Sequence, residues 1–429
     1  MPRIIRGRTL SFLRQPADGD DWDAFVYEPD GALVIDGGKI IASGRFDDVK
    51  DDGQIIDFRD KLILPGFIDP HIHFPQTEVI AAYAAALLDW LNDHTFPAEG
   101  RFADPAHAVA MANHFFDTLL RHGTTTVSAF CSSHAASVDA FFAGAEARNM
   151  AVFGGKTMMD RNAPDAVCDT AETAHEASAA LIARWHGRGR GQYVITPRFA
   201  ITSSPEQLEV AGALAASHPD CLIQTHMSEN RAEIALTADL FPAARDYLDV
   251  YEHFGLIGAG TLLGHCIHLT EREVARMAES GAVAVHCPTS NLFLGSGLFD
   301  RARLEAAGVR TALATDIGGG TSFSMLRTID EAYKIQQLRG HRWHPFQAFY
   351  EATLGNAAVL GAEDRIGTLA AGTDADLVVL DPRATPEMAL RADRIDGLAD
   401  ELFLLQTLGD DRAVVETFVA GQAMKSNQG

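Results

Sequence analysis

Apolar residues in this chain follow two patterns. Over residues 1–60 they form short runs separated by tight turns. Ala32-Leu33-Val34-Ile35, then Asp36-Gly37-Gly38, then Lys39-Ile40-Ile41-Ala42 predicts a β-hairpin around the glycines. The far end repeats this texture. Gly372-Thr373-Asp374-Ala375-Asp376 leads into Leu377-Val378-Val379-Leu380, and Val414-Val415-Glu416-Thr417-Phe418-Val419 follows. Between the ends the pattern alternates. Apolar runs at 62–72, 124–130, 151–158, 193–201, 221–228, 261–267, 282–287 and 310–316 read as buried strands. Ala-, Leu- and Glu-rich stretches such as 104–121 and 271–280 lie between them and read as helices. Eight strands with intervening helices predict an α/β fold, a (β/α)8 TIM-type barrel. The two β-rich ends predict a small β-sandwich domain built from both termini. The expected division is 1–64 and 366–429 for the sandwich and 65–365 for the barrel. Residues 74–102 are too irregular for a simple βα connection, and are expected to place helix and loop over the barrel mouth.

Composition narrows the function classes. A chain of 429 residues fits one large domain and a smaller one. The formal net charge of −23 leaves no basic surplus for phosphates, which argues against nucleic-acid or anionic-membrane binding. The five cysteines, Cys131, Cys168, Cys221, Cys266 and Cys287, are widely spread and form no Cys-x-x-Cys pair. They read as reduced thiols of a cytoplasmic protein. The first residues lack the apolar core of a signal peptide, and no stretch reaches the length of a membrane span.

The chemistry begins at His71-Ile72-His73, which ends the first of the eight runs. In a strand, residues i and i+2 face the same way, so both imidazoles can grip one metal ion. His226, His265 and Asp316 each close a later run. Residues scattered in sequence that each end a strand describe a site at the carboxyl face of a barrel. Imidazoles and a carboxylate suit Zn2+ or Fe2+ and require no thiolate. His286 ends the seventh run and reads either as an orienting residue or as a structural one. Histidines such as His94, His122, His134 and His186 read as surface or structural residues.

Together these segments resemble the amidohydrolase superfamily. Pro65-Gly66-Phe67-Ile68-Asp69-Pro70-His71-Ile72-His73 looks like its first-strand signature, and Gly372-Thr373-Asp374-Ala375-Asp376-Leu377 like its return to the β domain. Within the superfamily the chain looks most like the guanine-deaminating members. The segments that carry this are His71-Ile72-His73-Phe74-Pro75-Gln76, Trp90-Leu91 with His94-Thr95-Phe96-Pro97-Ala98-Glu99, and His122-Gly123-Thr124-Thr125-Thr126. They continue with Thr196-Pro197-Arg198-Phe199, His226-Met227-Ser228-Glu229-Asn230-Arg231, His286-Cys287-Pro288-Thr289-Ser290-Asn291 and Thr315-Asp316-Ile317-Gly318-Gly319-Gly320. The resemblance implies His71, His73, His226 and Asp316 as metal ligands, with His265 on the water rather than the metal. It also implies a homodimer. Binuclear members carry a bridging lysine at the end of strand four. Here that position reads Pro197-Arg198-Phe199, and Lys156 belongs to strand three. The expectation is one metal per chain, Zn2+ or Fe2+.

Hydrolytic loss of a ring amine needs an activated water, a protonated ring and a proton for departing ammonia. Asp316 is expected to take the water's proton. Glu229 is expected to protonate ring N3 and pass a proton to the amine, and His265 to stabilise the developing charge. Arg198 and Gln76, with Phe199 beside them, are expected to read guanine. Guanine presents the C6 carbonyl and N7 as acceptors, which suits a guanidinium fork. A rim salt bridge is the plain structural reading of Arg198, and lid packing that of Trp90 and Phe96. The competing reading is a sibling deaminase of a pterin, cytosine or triazine. Zinc deaminases of the Pro-Cys-x-x-Cys type are excluded, because that cysteine pair is absent.

Overall fold

The computed structural model describes residues 2–49, 52–83 and 87–425. Its strands form two sheets. The amino-terminal strands are β1 (Arg3–Phe12), β2 (Phe25–Asp36), β3 (Lys39–Arg45) and β4 (Gln54–Pro65). The barrel strands are β5 (Phe67–His73), β6 (Thr124–Cys131), β7 (Ala151–Met158), β8 (Gly191–Pro197), β9 (Leu222–Met227), β10 (Thr261–His265), β11 (Val283–His286) and β12 (Arg310–Leu313). The chain then returns to the first sheet as β13 (Leu377–Leu380), β14 (Val414–Val419) and β15 (Gln422–Ala423).

The first sheet has the order β15-β14-β13-β4-β1-β2-β3, so strands from both ends of the chain meet at β13–β4. It rolls back on itself. Ile40 N donates to Thr373 O (3.0 Å) and Ala375 N to Gly38 O (2.9 Å). Ile5, Leu33, Ile35 and Ile40 thereby share one buried cluster with Ile63, Leu377, Val379 and Phe418. Side chains alternate across a strand, so Leu62, Leu64, Val378 and Leu380 face the other way. They pack on helices Met325–Leu338 and Leu398–Leu408.

Among the described residues, eight parallel strands run β5 to β12 in chain order. β5, β6 and β7 are buried along their whole length, as strands covered on both faces must be. The last-to-first seam is closed by side chains. Asn356 Nδ2 donates to Ile68 O and to Leu313 O, both at 2.8 Å, while its Oδ1 accepts from Leu313 N (3.2 Å). Asp69 accepts from Thr315 N (3.1 Å), from the Thr315 hydroxyl and from His71 N (3.3 Å). Beyond β12, Asp316 N donates to His71 O (3.0 Å) and His73 N to Ile317 O (2.6 Å).

Three expected elements differ in extent. The run 62–72 is two strands in two sheets, divided at Gly66. A Cβ there would lie 2.2 Å from Thr125 Oγ1, so only glycine lets the chain pass. The fourth barrel strand stops at Pro197, which frees Arg198 to leave the ladder. The eighth stops at Leu313, and Asp316 then adopts a left-handed backbone with φ 54°. Over 74–102 the described residues form short helical turns, Phe74–Val79, Leu87–Trp90, Leu91–Thr95 and Phe96–Gly100. These cover the barrel mouth as expected, with residues 84–86 outside the described set.

Candidate active site

The sequence-predicted residues converge. One pocket is lined by His73, Gln76, Arg198, Phe199, His226, Glu229, His265 and Asp316. His71 lies alongside, fully buried. Leu87, Trp90, Leu91, Glu233, Leu294 and Gly319 complete the wall. His71 and His73 come from the end of β5, His226 from β9 and His265 from the last position of β10. Arg198 follows β8, and Asp316 follows β12. The interior is tight around His71. A Cβ at Gly264 would lie 2.5 Å from His71 Cε1, so the neighbouring strand carries glycine there.

Four ligand atoms, one each from His71, His73, His226 and Asp316, lie within 4.8 Å of one another. His73 Nε2 is 3.0 Å from His226 Nε2 and 3.3 Å from Asp316 Oδ1, and His71 Nε2 is also 3.3 Å from that oxygen. His226 Nδ1 donates to Arg198 O (2.7 Å), because a carbonyl can only accept. Its Nε2 therefore carries a lone pair aimed into the cluster. Burial lowers the His226 ring well below its ordinary value and brings His73 to about 4. Both rings are neutral at pH 7. Burial alone would raise Asp316, but the His71 and His73 rings, each 3.3 Å from Oδ1, outweigh it and hold the carboxyl well below its usual range. Both ring nitrogens of His71 and Nδ1 of His73 have no hydrogen-bond partner among the described residues. Lone pairs this close repel unless a cation lies among them. The donor set fits a divalent metal ion.

His265 stands differently. Its Nδ1 receives a hydrogen bond from Asn291 Nδ2 (3.0 Å), which puts the ring proton on Nε2. That atom lies 3.4 Å from Glu229 Oε2 and 3.9 Å from Asp316 Oδ2. Burial lowers the ring to about 3, so it remains a neutral donor. Glu229 is buried. Burial first, then Glu233 and Asp316, push its carboxyl well above 4.5, while the bond from Ser296 Oγ to Oε1 (2.7 Å) opposes the shift. A carboxyl raised in this way keeps its proton to higher pH than a free glutamate, the direction a general acid requires.

Arg198 takes both positions weighed for it. It lines the pocket and is also ion-paired, with Nη1 donating to Glu99 Oε1 and Oε2, each at 2.8 Å. Gln76 Nε2 donates to the same Glu99 Oε1 (2.9 Å), and Gln76 Oε1 accepts from Gly318 N (3.2 Å). The Phe96 ring centre lies 5.4 Å from the Arg198 guanidinium carbon. Trp90 is buried among Leu87, Leu91, Phe96 and Phe199 and also lines the pocket. His286 stays outside it, stacked on Phe299 at 4.4 Å between ring centres. Lys156 is buried in an ion pair with Asp169 and takes no part in the cluster.

Four supporting residues escaped the sequence reading. Glu233 accepts from Glu229 N (2.8 Å) and Asn230 N (3.0 Å), and the capping-box spacing Asn230-x-x-Glu233 was a usable sign. Asn291 lay within a quoted segment without a role. Ser296 stands between two glycines of positive φ, and its carbonyl accepts from His268 Nε2 (2.8 Å). Glu99 ends the segment His94–Glu99, which carries the family resemblance, but its partners are brought to it only by the fold.

Comparison with known proteins agrees with this geometry. The pattern of the Amidohydrolase family matches residues 62–424. Guanine deaminase of Escherichia coli (strain K12) is 48% identical over 425 residues, covering 98% of this chain and 97% of that one. A solved structure of E. coli guanine deaminase superposes with a TM-score of 0.94 at 44% identity, covering 99% and 98% of the two chains. A guanine deaminase from C. acetobutylicum, with guanine bound in its active site, superposes with a TM-score of 0.89 at 29% identity over 99% and 100%. With its barrel, its ligand cluster at the carboxyl ends of the strands and this match, the chain belongs to the amidohydrolase family.

Proposed function

We propose that this chain is a guanine aminohydrolase, converting guanine and water to xanthine and ammonia. One observation carries the reading. A single pocket joins the His71, His73, His226 and Asp316 cluster to Glu229, whose carboxyl is raised, and to the Arg198 guanidinium and Gln76 amide. The relatives named above are guanine deaminases, which supports the same substrate.

His71, His73, His226 and Asp316 would hold one divalent ion, Zn2+ on the donor chemistry, with Fe2+ also compatible. When bound, such an ion supplies a water acidified to about pKa 7. Asp316 accepts that water's proton. Glu229 gives its proton to ring N3, making C2 electrophilic. Reloaded with the proton that Asp316 took, it passes that proton to the amino group as ammonia leaves. The second water proton, released as the C2 carbonyl forms, restores the Glu229 carboxyl. His265 Nε2–H donates to the oxygen that adds at C2. Arg198 and Gln76 hold the C6 carbonyl edge, and Phe199 and Trp90 bound the ring. A homodimer and a cytoplasmic setting remain part of the proposal. They rest on the family resemblance and on five free cysteines. No helix among the described residues is long and apolar enough to cross a membrane.

The test is incubation of metal-analysed protein with guanine, following xanthine and ammonia together. Fully metallated protein that leaves guanine unchanged would reject the assignment.

A further inference from the structure

We propose that Glu99 is the positioning residue for substrate recognition: one carboxylate that orients both Arg198 and Gln76 and cancels the charge of Arg198. The inference rests on the guanine reading and adds a residue to it. Glu99 is 1% exposed. It belongs to the turn Phe96–Gly100 of the covering segment, whereas Arg198 follows β8 and Gln76 follows β5. The carboxylate therefore joins three separate parts of the mouth. Its bonds to Arg198 Nη1 and Gln76 Nε2 fix both side chains before substrate arrives.

Two consequences follow. The Glu99 carboxylate, ion-paired with Arg198, accepts, and Gly318 N can only donate, so the Gln76 amide has a single satisfied orientation. The edge that meets the ring then has a defined order of donors and acceptor. In addition, the buried guanidinium is already neutralised, so the pocket offers directed hydrogen bonds without net attraction for an anion. That arrangement fits an uncharged heterocycle and disfavours a carboxylate-bearing ligand, which would face Glu99 across Arg198.

A double-mutant cycle in the metallated enzyme tests this. Glu99→Gln, Arg198→Met and the double variant are compared for kcat and KM on guanine, with metal content measured in each. Glu99→Gln is expected to lower kcat/KM roughly 10- to 100-fold, mainly through KM and with metal retained, the range for loss of a buried charge-assisted contact. Because Glu99 acts partly through Arg198, the loss in the double variant is expected to fall well short of the product of the two single losses, the remainder beyond Arg198→Met reporting the contact to Gln76. Glu99→Asp keeps the charge but withdraws it by one methylene. It provides the same cycle should the glutamine variant fold poorly. A Glu99→Gln value within about twofold of wild type would overturn the proposal, as would losses that multiply in the double variant. Wild-type protein inert toward guanine would instead overturn the functional reading beneath it.

Discussion

His226 and His265 end neighbouring strands, and their rings differ in what holds Nδ1. A carbonyl accepts from one and an amide donates to the other, so Nε2 is a lone pair on His226 and a proton on His265. This separates a metal ligand from a hydrogen-bond donor. His71→Ala or Asp316→Ala is expected to remove most bound metal and nearly all turnover, read by elemental analysis and ammonia release. Glu229→Gln keeps shape and metal and should lower turnover by roughly 10²-fold or more, the scale of lost general acid–base catalysis. Stability offers an independent check. Glu229 titrates above 4.5 in the fold, so between that value and its raised one the folded state holds a proton that the unfolded chain has lost. Stability then falls as pH rises through this window. Chelator-treated Glu229→Gln should therefore gain on wild type with rising pH in denaturant titrations, and parallel curves would contradict the buried, raised carboxyl.

At the scale of elements, the barrel strands stop where the chemistry starts. Ser228, His265, Cys266 and Asp316 all have positive φ, between 51° and 74°. For residues other than glycine such backbone costs about 1–3 kcal/mol each. Bonds such as Cys266 N to Met227 O (3.0 Å) and Asp316 N to His71 O (3.0 Å) hold these turns in place. At the seam between the last and first barrel strands Asn356 and Asp69 stand in for part of a ladder. Asn356→Ala leaves buried groups of Ile68 and Leu313 unpaired. It is expected to cost about 2–4 kcal/mol of stability, from the penalty for unsatisfied buried polar groups. A urea midpoint close to wild type would show that the ladder closes without it.

The whole molecule brings strand ends more than 240 residues apart in sequence to one mouth, from His71 to Asp316. Metal content near one per chain is expected, and two tightly held ions would contradict the four-ligand site. Discrimination is the other property of the assembled pocket. Adenine places an amino donor where guanine has the C6 carbonyl, so Arg198 would face a donor. Mismatches of this kind discriminate strongly, because buried polar groups are left unpaired. Guanine is expected to turn over while adenine does not, in parallel assays with the same metallated protein. Comparable rates would return the choice to other ring deaminases.

Much of this protein was legible along the chain. Period and run length marked the eight strands and the paired β ends, because burial on both faces forces continuous apolar runs. Strand-end histidines marked the cluster, because ligands in a barrel must lie where strands finish. The tertiary structure decided what depends on contacts between distant segments. It divided 62–72 at Gly66, where Thr125 leaves no room for a side chain. It gave His226 and His265 opposite tautomers, through partners at Arg198 and Asn291 that no local pattern specifies. It also brought Glu99 from the covering segment to Arg198 and Gln76. A carboxylate in a helical turn looks solvated until the fold buries it against a guanidinium ninety-nine positions away.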